Sequence, residues 1–259
     1  MSIILPLPEN LSNLLEEQEE ARKKTIVMIA EQPDWQEHIQ LIHDSMNIVD
    51  FIAIKRIHQN ENELILRGLA ARLFNDYSAA FDLLLTGYYQ VSLMVQRDIF
   101  ECALLLSKFA LDRDSIQRWK NVNPENNQEK NEFRPNEIRK LLKESTGIPV
   151  GNTSNIDYMY KLLCELGVHP TYIGINSLLG DDVGKNRLLK VGPMINKFKF
   201  RSCLSDFVRI SAMAAGSLVD AFNIENLEEK YRPTCKKHRE LCKLWFTKHG
   251  TFPGKLPKY

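Results

Sequence analysis

Four polar side chains interrupt one of the most apolar stretches of the chain: Gln90, Arg97, Glu101 and Lys108. On a helix, where each residue advances about 100°, all four fall within about 20° of one line. Arg97 and Glu101 are four apart, so they share a face and can pair. The stripe has two readings. Facing solvent, it is a surface ion pair that stabilises by only about 0.3–0.5 kcal/mol. Facing a cleft, it is a row of donors and acceptors. His169, in Gly167-Val-His169-Pro170, follows a helix end, and an imidazole there can exchange a proton near neutral pH. On the cleft reading Arg97, Glu101 and His169 are the catalytic candidates. Glu101 then orients Arg97 or His169, His169 handles the proton, and Tyr160 and Gln90 supply binding contacts.

A second group, Cys235-x2-His238-x3-Cys242-x6-His249, has the look of a metal box. Its spacing argues otherwise. On one helix Cys235 and Cys242 lie about 10.5 Å apart along the axis, whereas a zinc ion needs every ligand within roughly 2.0–2.3 Å. Neither a metal nor another cofactor is expected. Gly180-Asp-Asp-Val-Gly184-Lys185-Asn186 follows no clear strand and lacks the Ser or Thr of a phosphate-binding P-loop. No Gly-x-Ser-x-Gly elbow occurs, so hydrolase chemistry of that type has no support.

The elements that must carry these residues are helices. Apolar residues recur every three or four positions. Leu11, Leu14, Leu15, Ile26 and Ile29 mark a first helix from Pro8, broken at Gln32-Pro33-Asp34. A second reaches about residue 59, with Ile39, Ile42, Met46, Val49, Ile52 and Ile57 inward. A third runs from residues 60–62 to Thr86-Gly87, with Leu64, Leu69, Leu73, Tyr77, Phe81 and Leu84 on its apolar face. A fourth spans 88–111 and is apolar around most of its circumference, as the central helix of a bundle is. A short helix is expected at 113–120, an exposed loop at 121–136, and helices at 135–144 and 155–166, with Gly167 as a left-handed cap. Residues 172–194 are irregular, with room for a hairpin near 188–191. Helices at 197–222 and 233–248 complete the chain. The expected architecture is all-α: one antiparallel multi-helix domain over 1–259, with a core at 61–223, N-terminal helices at 8–59 and a basic helix and tail at 226–259.

Composition sets the outer bounds. The 259 residues are 44% hydrophobic and 26% charged, with a net charge of +1, which excludes collagen-like, low-complexity and wholly disordered chains. The balance is uneven: nine Lys/Arg against two Glu from Glu229 onward give a local +7, leaving −6 for the rest. A basic end of this kind suits contact with RNA, DNA or an acidic partner. The opening Met1-Ser-Ile-Ile-Leu-Pro carries no basic signal-peptide region, and residues 93–111 hold too many charges to span a membrane. Five cysteines, an odd number with three of them widely scattered, fit a reducing cytoplasm.

The segments Arg67-Gly-Leu-Ala-Ala-Arg72, Asp76-Tyr-Ser-Ala-Ala-Phe-Asp-Leu-Leu-Leu-Thr-Gly87 and Arg97-Asp-Ile-Phe-Glu101, with Tyr160 and His169-Pro170 further on, resemble a family of bacterial helical proteins similar to the HEPN class of bundles. The resemblance covers roughly residues 64–171. It implies a HEPN-like core and a role in bacterial stress or phage defence, with RNA, nucleotide or a protein as partner. Many HEPN domains are metal-independent endoribonucleases acting as homodimers through Arg-x4–6-His, and others only bind or scaffold. The matching segment here is Arg232-Pro-Thr-Cys-Lys-Lys-His238, which makes Arg232 and His238 the alternative catalytic pair. It lies outside the resembling block and has Pro after the Arg.

Overall fold

The computed structural model describes residues 7–146, 150–176, 178–183, 186–189, 191–223, 229 and 232–250. The long helices are α1 (Glu9–Ala30), α2 (Pro33–Asp50), α3 (Glu61–Leu85), α4 (Tyr89–Leu111), α10 (Lys197–Phe222) and α11 (Arg232–His249). Between them lie α5 (Ser115–Lys120), α6 (Asn127–Glu132), α7 (Pro135–Thr146), α8 (Val150–Leu163) and α9 (Tyr172–Asn176). Wide π-helical turns extend α2 over Phe51–Lys55 and α8 over Cys164–Val168. A hairpin, β1 (Leu179–Val183) and β2 (Asn186–Leu189), pairs antiparallel with Leu179 opposite Leu189. The fold is all-α apart from this ribbon.

Helix limits follow from local chemistry. Pro33 starts α2 at a position that needs no N–H. Asn60 caps α3 by accepting the Glu63 N–H at 3.0 Å, and Asn196 caps α10 by accepting the Lys199 N–H at 2.9 Å. Asn223, at φ 59°, ends α10 in the left-handed region that Asn tolerates. Gly87, at φ 82°, turns the chain from α3 into α4. A Cβ there would lie 2.3 Å from the Met194 carbonyl oxygen, so the turn also needs glycine for the close approach of the segment at Met194.

The centre of the bundle is α10, packed against α2, α3 and α4, with α3 also against α4. It buries residues around nearly its whole circumference, among them Phe200, Leu204, Phe207, Ile210, Leu218 and Phe222. A continuous apolar core runs from Trp35 on α2 to Trp245 on α11. Tyr77 is fully buried, and its hydroxyl donates to the Ser211 carbonyl at 2.8 Å, tying α3 to α10. Helices α7 and α8 and the 164–168 turn cover the remaining side of α4.

Several expectations change. Helix α1 does not bury Leu11, Leu15 or Ile26, which are exposed; it rests on the bundle through Ala21 and Thr25, small enough for close helix approach. Ile57 is exposed, because the chain leaves helical geometry at Arg56. A short helix, α6, forms inside the expected 121–136 loop, since Asn126 accepts from the Gln128 and Glu129 N–H groups and caps it. The hairpin falls at 179–189 rather than 188–191. Gly167 is not a left-handed cap but lies within the π turn, where a Cβ would come 3.0 Å from the Leu93 and Met94 backbone, so its role is close packing of that turn on α4. No helix among the described residues is long and apolar enough to cross a membrane.

Candidate anion-binding cleft

Lys197, Arg201, Ser205 and Arg209 recur every fourth residue along α10 and so line one face of it. This face meets the start of α2 and the end of α11. The three elements enclose a cleft of about 600 Å³, to which α2 adds Gln32, Asp34, Trp35 and His38 and α11 adds His249. Lys197 and Arg201 are exposed on one wall. Arg209 is buried at the inner end, where its Nη1 donates to Ser205 Oγ at 2.6 Å and its guanidinium lies 5.4 Å from the centre of the Trp245 ring. The Lys197 ammonium lies 5.7 Å over the Trp35 ring.

The acids near this mouth are already engaged. Lys248 reaches Asp34 at 3.1 Å and Glu37 at 2.7 Å, and His249 Nε2 lies 3.1 Å from Glu37. Hydrogen bonds from Lys248 hold both carboxyls below their ordinary range. Beneath the cleft, Asp206 faces Arg209 at 3.5 Å, and burial pushes its carboxyl up to about 7 against the opposing pull of Arg209. Lys197, Arg201 and Arg209 thus place three cations on the cleft wall, and the acid that lines it, Asp34, is already held by Lys248.

His38 also lines the cleft. The Trp245 indole N–H donates to His38 Nδ1 at 3.3 Å, and His249 packs edge-on at 4.7 Å between ring centres. Burial, then the charges of His249 and Arg209, push His38 down to about 4. Its ring is neutral at pH 7, and because Nδ1 accepts, the proton sits on Nε2. Guanidinium, ammonium and imidazole N–H groups around one cavity are suited to a phosphate or similar oxyanion.

The polar stripe of α4 lies elsewhere, as a seam beneath α6, α7 and α8. Arg97 Nη2 donates to the Tyr160 hydroxyl at 3.2 Å and lies 2.9 Å from Glu101. Tyr160 is flanked by two guanidinium groups, Arg139 at 4.3 Å and Arg97 at 5.4 Å from its ring centre. Lys108 is buried, with Nζ 3.0 Å from Glu132 and over the Phe133 ring. The stripe thus mostly joins helices, and Gln90, at its far end, lines a cavity. The fold brings Arg97, Glu101 and Tyr160 together. His169 is exposed after the 164–168 turn, where its backbone N–H donates to Cys164 and its carbonyl accepts from Thr171; its side chain makes no hydrogen bond or ion pair with Arg97 or Glu101.

The alternative pair is also apart in character. Arg232 begins α11 on the surface, whereas His238 is turned inward and buried, its Nε2 3.0 Å from Ser45 Oγ. Burial pushes His238 down to about 4. Within the Cys235-to-His249 group, Cys242 Sγ lies 3.7 Å from His238 Nε2, and both histidines face α2 at separate points, His238 at Ser45 and His249 at Glu37. The cleft residues Lys197, Arg201, Arg209 and His38 were missed by the sequence reading. The four-residue spacing on α10 was the available signal, and the contribution of α2 and α11 had none. No protein-family profile, no characterised protein and no solved structure matches the chain.

Proposed function

We propose that this chain is a HEPN-like helical protein that binds a phosphate group of RNA or of a nucleotide in the α10 cleft. One observation carries the reading: Lys197, Arg201 and Arg209 line a single cavity with His38 and His249, while the nearby acids are already engaged by α11. Binding, rather than RNA cleavage by Arg232 and His238, is favoured because His238 is buried against Ser45. Calorimetric titration with ribose 5-phosphate and with a short 5′-phosphorylated single-stranded RNA tests the proposal and separates the two phosphate sources. Lys197 and Arg201 are exposed and can be removed without opening the core. Each charge-assisted hydrogen bond is worth about 1.5–3 kcal/mol, so Arg201→Ala is expected to weaken binding at least about tenfold. An affinity unchanged in the Lys197→Ala, Arg201→Ala double variant would refute the cleft.

A further inference from the structure

On the neighbouring face of α10 lies a second, smaller cavity of about 110 Å³. Its walls include Tyr89, Leu93, Leu166, Met194 and Phe198, and its few polar groups include Gln90, Ser202 and Asp206. The slot and the cleft are contiguous along the helix. Phe198 lines both, and Arg201 on the cleft side is followed directly by Ser202 on the slot side. Asp206 of the slot and Arg209 of the cleft form the 3.5 Å pair described above, so the two cavities also share a buried charge pair.

From this juxtaposition we infer that the slot seats the base of the phosphorylated ligand and admits a pyrimidine, the single-ring base, in preference to a purine. The inference rests on the phosphate reading of the cleft and narrows it. Three observations support it. An engineered dry cavity of roughly 150 Å³ takes up benzene, so a slot of about 110 Å³ is at the scale of one ring, with its edge at the rim, and too small to enclose a fused pair. The walls are mostly apolar, with Phe198 exposed at the rim where it can lie against a ring face. The buried Asp206 carboxyl, titrating at about 7, can accept from the amino group of cytosine or the ring N–H of uracil. The slot is also held in place: Gly87 and Met194 approach at backbone distance, and the Tyr89 hydroxyl accepts the Asn196 N–H at 3.2 Å where the chain enters α10.

The test compares CMP, UMP, AMP and ribose 5-phosphate on the full chain by calorimetry. These ligands share the sugar phosphate and differ in the base. Burying one ring face and edge is expected to make CMP and UMP about ten- to a hundredfold tighter than ribose 5-phosphate, with AMP close to ribose 5-phosphate. Ser202→Phe, which fills the slot, and Phe198→Ala, which removes its rim, are each expected to bring the ratio of CMP to ribose 5-phosphate affinity close to one. The second substitution is at an exposed position and serves if the first fails to fold. A ratio near one in the wild type overturns the slot while leaving the phosphate cleft standing. AMP binding as tightly as CMP overturns the selectivity for one ring. CMP binding that persists undiminished in Lys197→Ala, Arg201→Ala overturns the cleft itself, and binding of none of the four overturns both.

Discussion

Replacing His238 by glutamine separates a core histidine from a catalytic one. His238 Nε2 lies 3.0 Å from Ser45 Oγ, and the residue is 3% exposed. Burial, with a smaller contribution from Arg239 and against that of Asp44, moves its pKa from the ordinary 6.5 to about 4. The folded state therefore favours the neutral ring. That stability is fully present above about pH 6.5 and is lost as pH falls towards 4, because the unfolded chain takes up the proton first. Worked through for these two values, His238 alone removes about 2 kcal/mol between pH 7 and pH 4.5, approaching about 3 kcal/mol below pH 4. Asp76 and Asp206, both pushed up to about 7, act in the opposite direction and strengthen the fold as pH falls through that range. A single stability curve mixes these slopes, but the difference between wild type and variant isolates His238. Gln can keep the contact to Ser45 and carries no titrating proton. Urea unfolding of both proteins at steps from pH 7.5 to 4.5 should show the wild-type advantage shrinking by about 2 kcal/mol. A difference that stays flat with pH would refute the buried, neutral assignment and return His238 to the surface, where the ribonuclease reading needs it.

Two backbone and core perturbations follow. Gly87→Ala forces a positive φ on a residue with a Cβ and drives that Cβ into the Met194 carbonyl, so a loss of roughly 1–3 kcal/mol or more is expected in denaturant unfolding, together with weaker binding of CMP through displacement of the slot wall. Glu63→Ala leaves Arg56 buried without the carboxylate that now lies 2.9 Å away and that also accepts the Gln59 N–H, so about 3–5 kcal/mol of stability should be lost, against a small change for Glu61→Ala on the exposed side of the same helix.

What could be read from the sequence was local. The spans of α3 and α10 were legible because Asn60, Asn196 and Thr86-Gly87 act through neighbours within four residues. The apolar period of α2 placed Ile42, Val49 and Ile52 in the core correctly. The same period misplaced Leu11, Leu15 and Ile26, because α1 lies at the edge of the bundle and buries its small residues there. Periodicity states that a helix has an apolar face and is silent on whether another element covers it. The candidate site shows the same division. Arg97 and Glu101 were legible as a pair, four residues apart on one helix, and Tyr160 joins them. The cleft was not, since it gathers residues from Gln32 to His249 and depends on Lys248 reaching across to Asp34 and Glu37.

The position of Arg209 is the strongest argument that α10 serves more than the core. A helix whose only task is to fill the centre of a bundle gains nothing from a buried ion pair: exchanging such a pair for apolar residues of similar volume is often neutral or stabilising. Two buried pairs occur among the described residues, and they differ. Arg56 and Glu63 meet at 2.9 Å, and Glu63 also accepts the Gln59 N–H, so that pair closes the connection between α2 and α3. Arg209 and Asp206 stand looser, at 3.5 Å, and each lines a different cavity. Desolvation acts against both charges, holding Asp206 up and Arg209 down. On the proposed reading, a phosphate in the cleft would add negative charge beside Arg209 and oppose that desolvation, with Lys197 and Arg201 meeting the same ligand from solvent. On that proposal, the desolvation borne by Asp206 and Arg209 is part of what would favour an anion in the cleft.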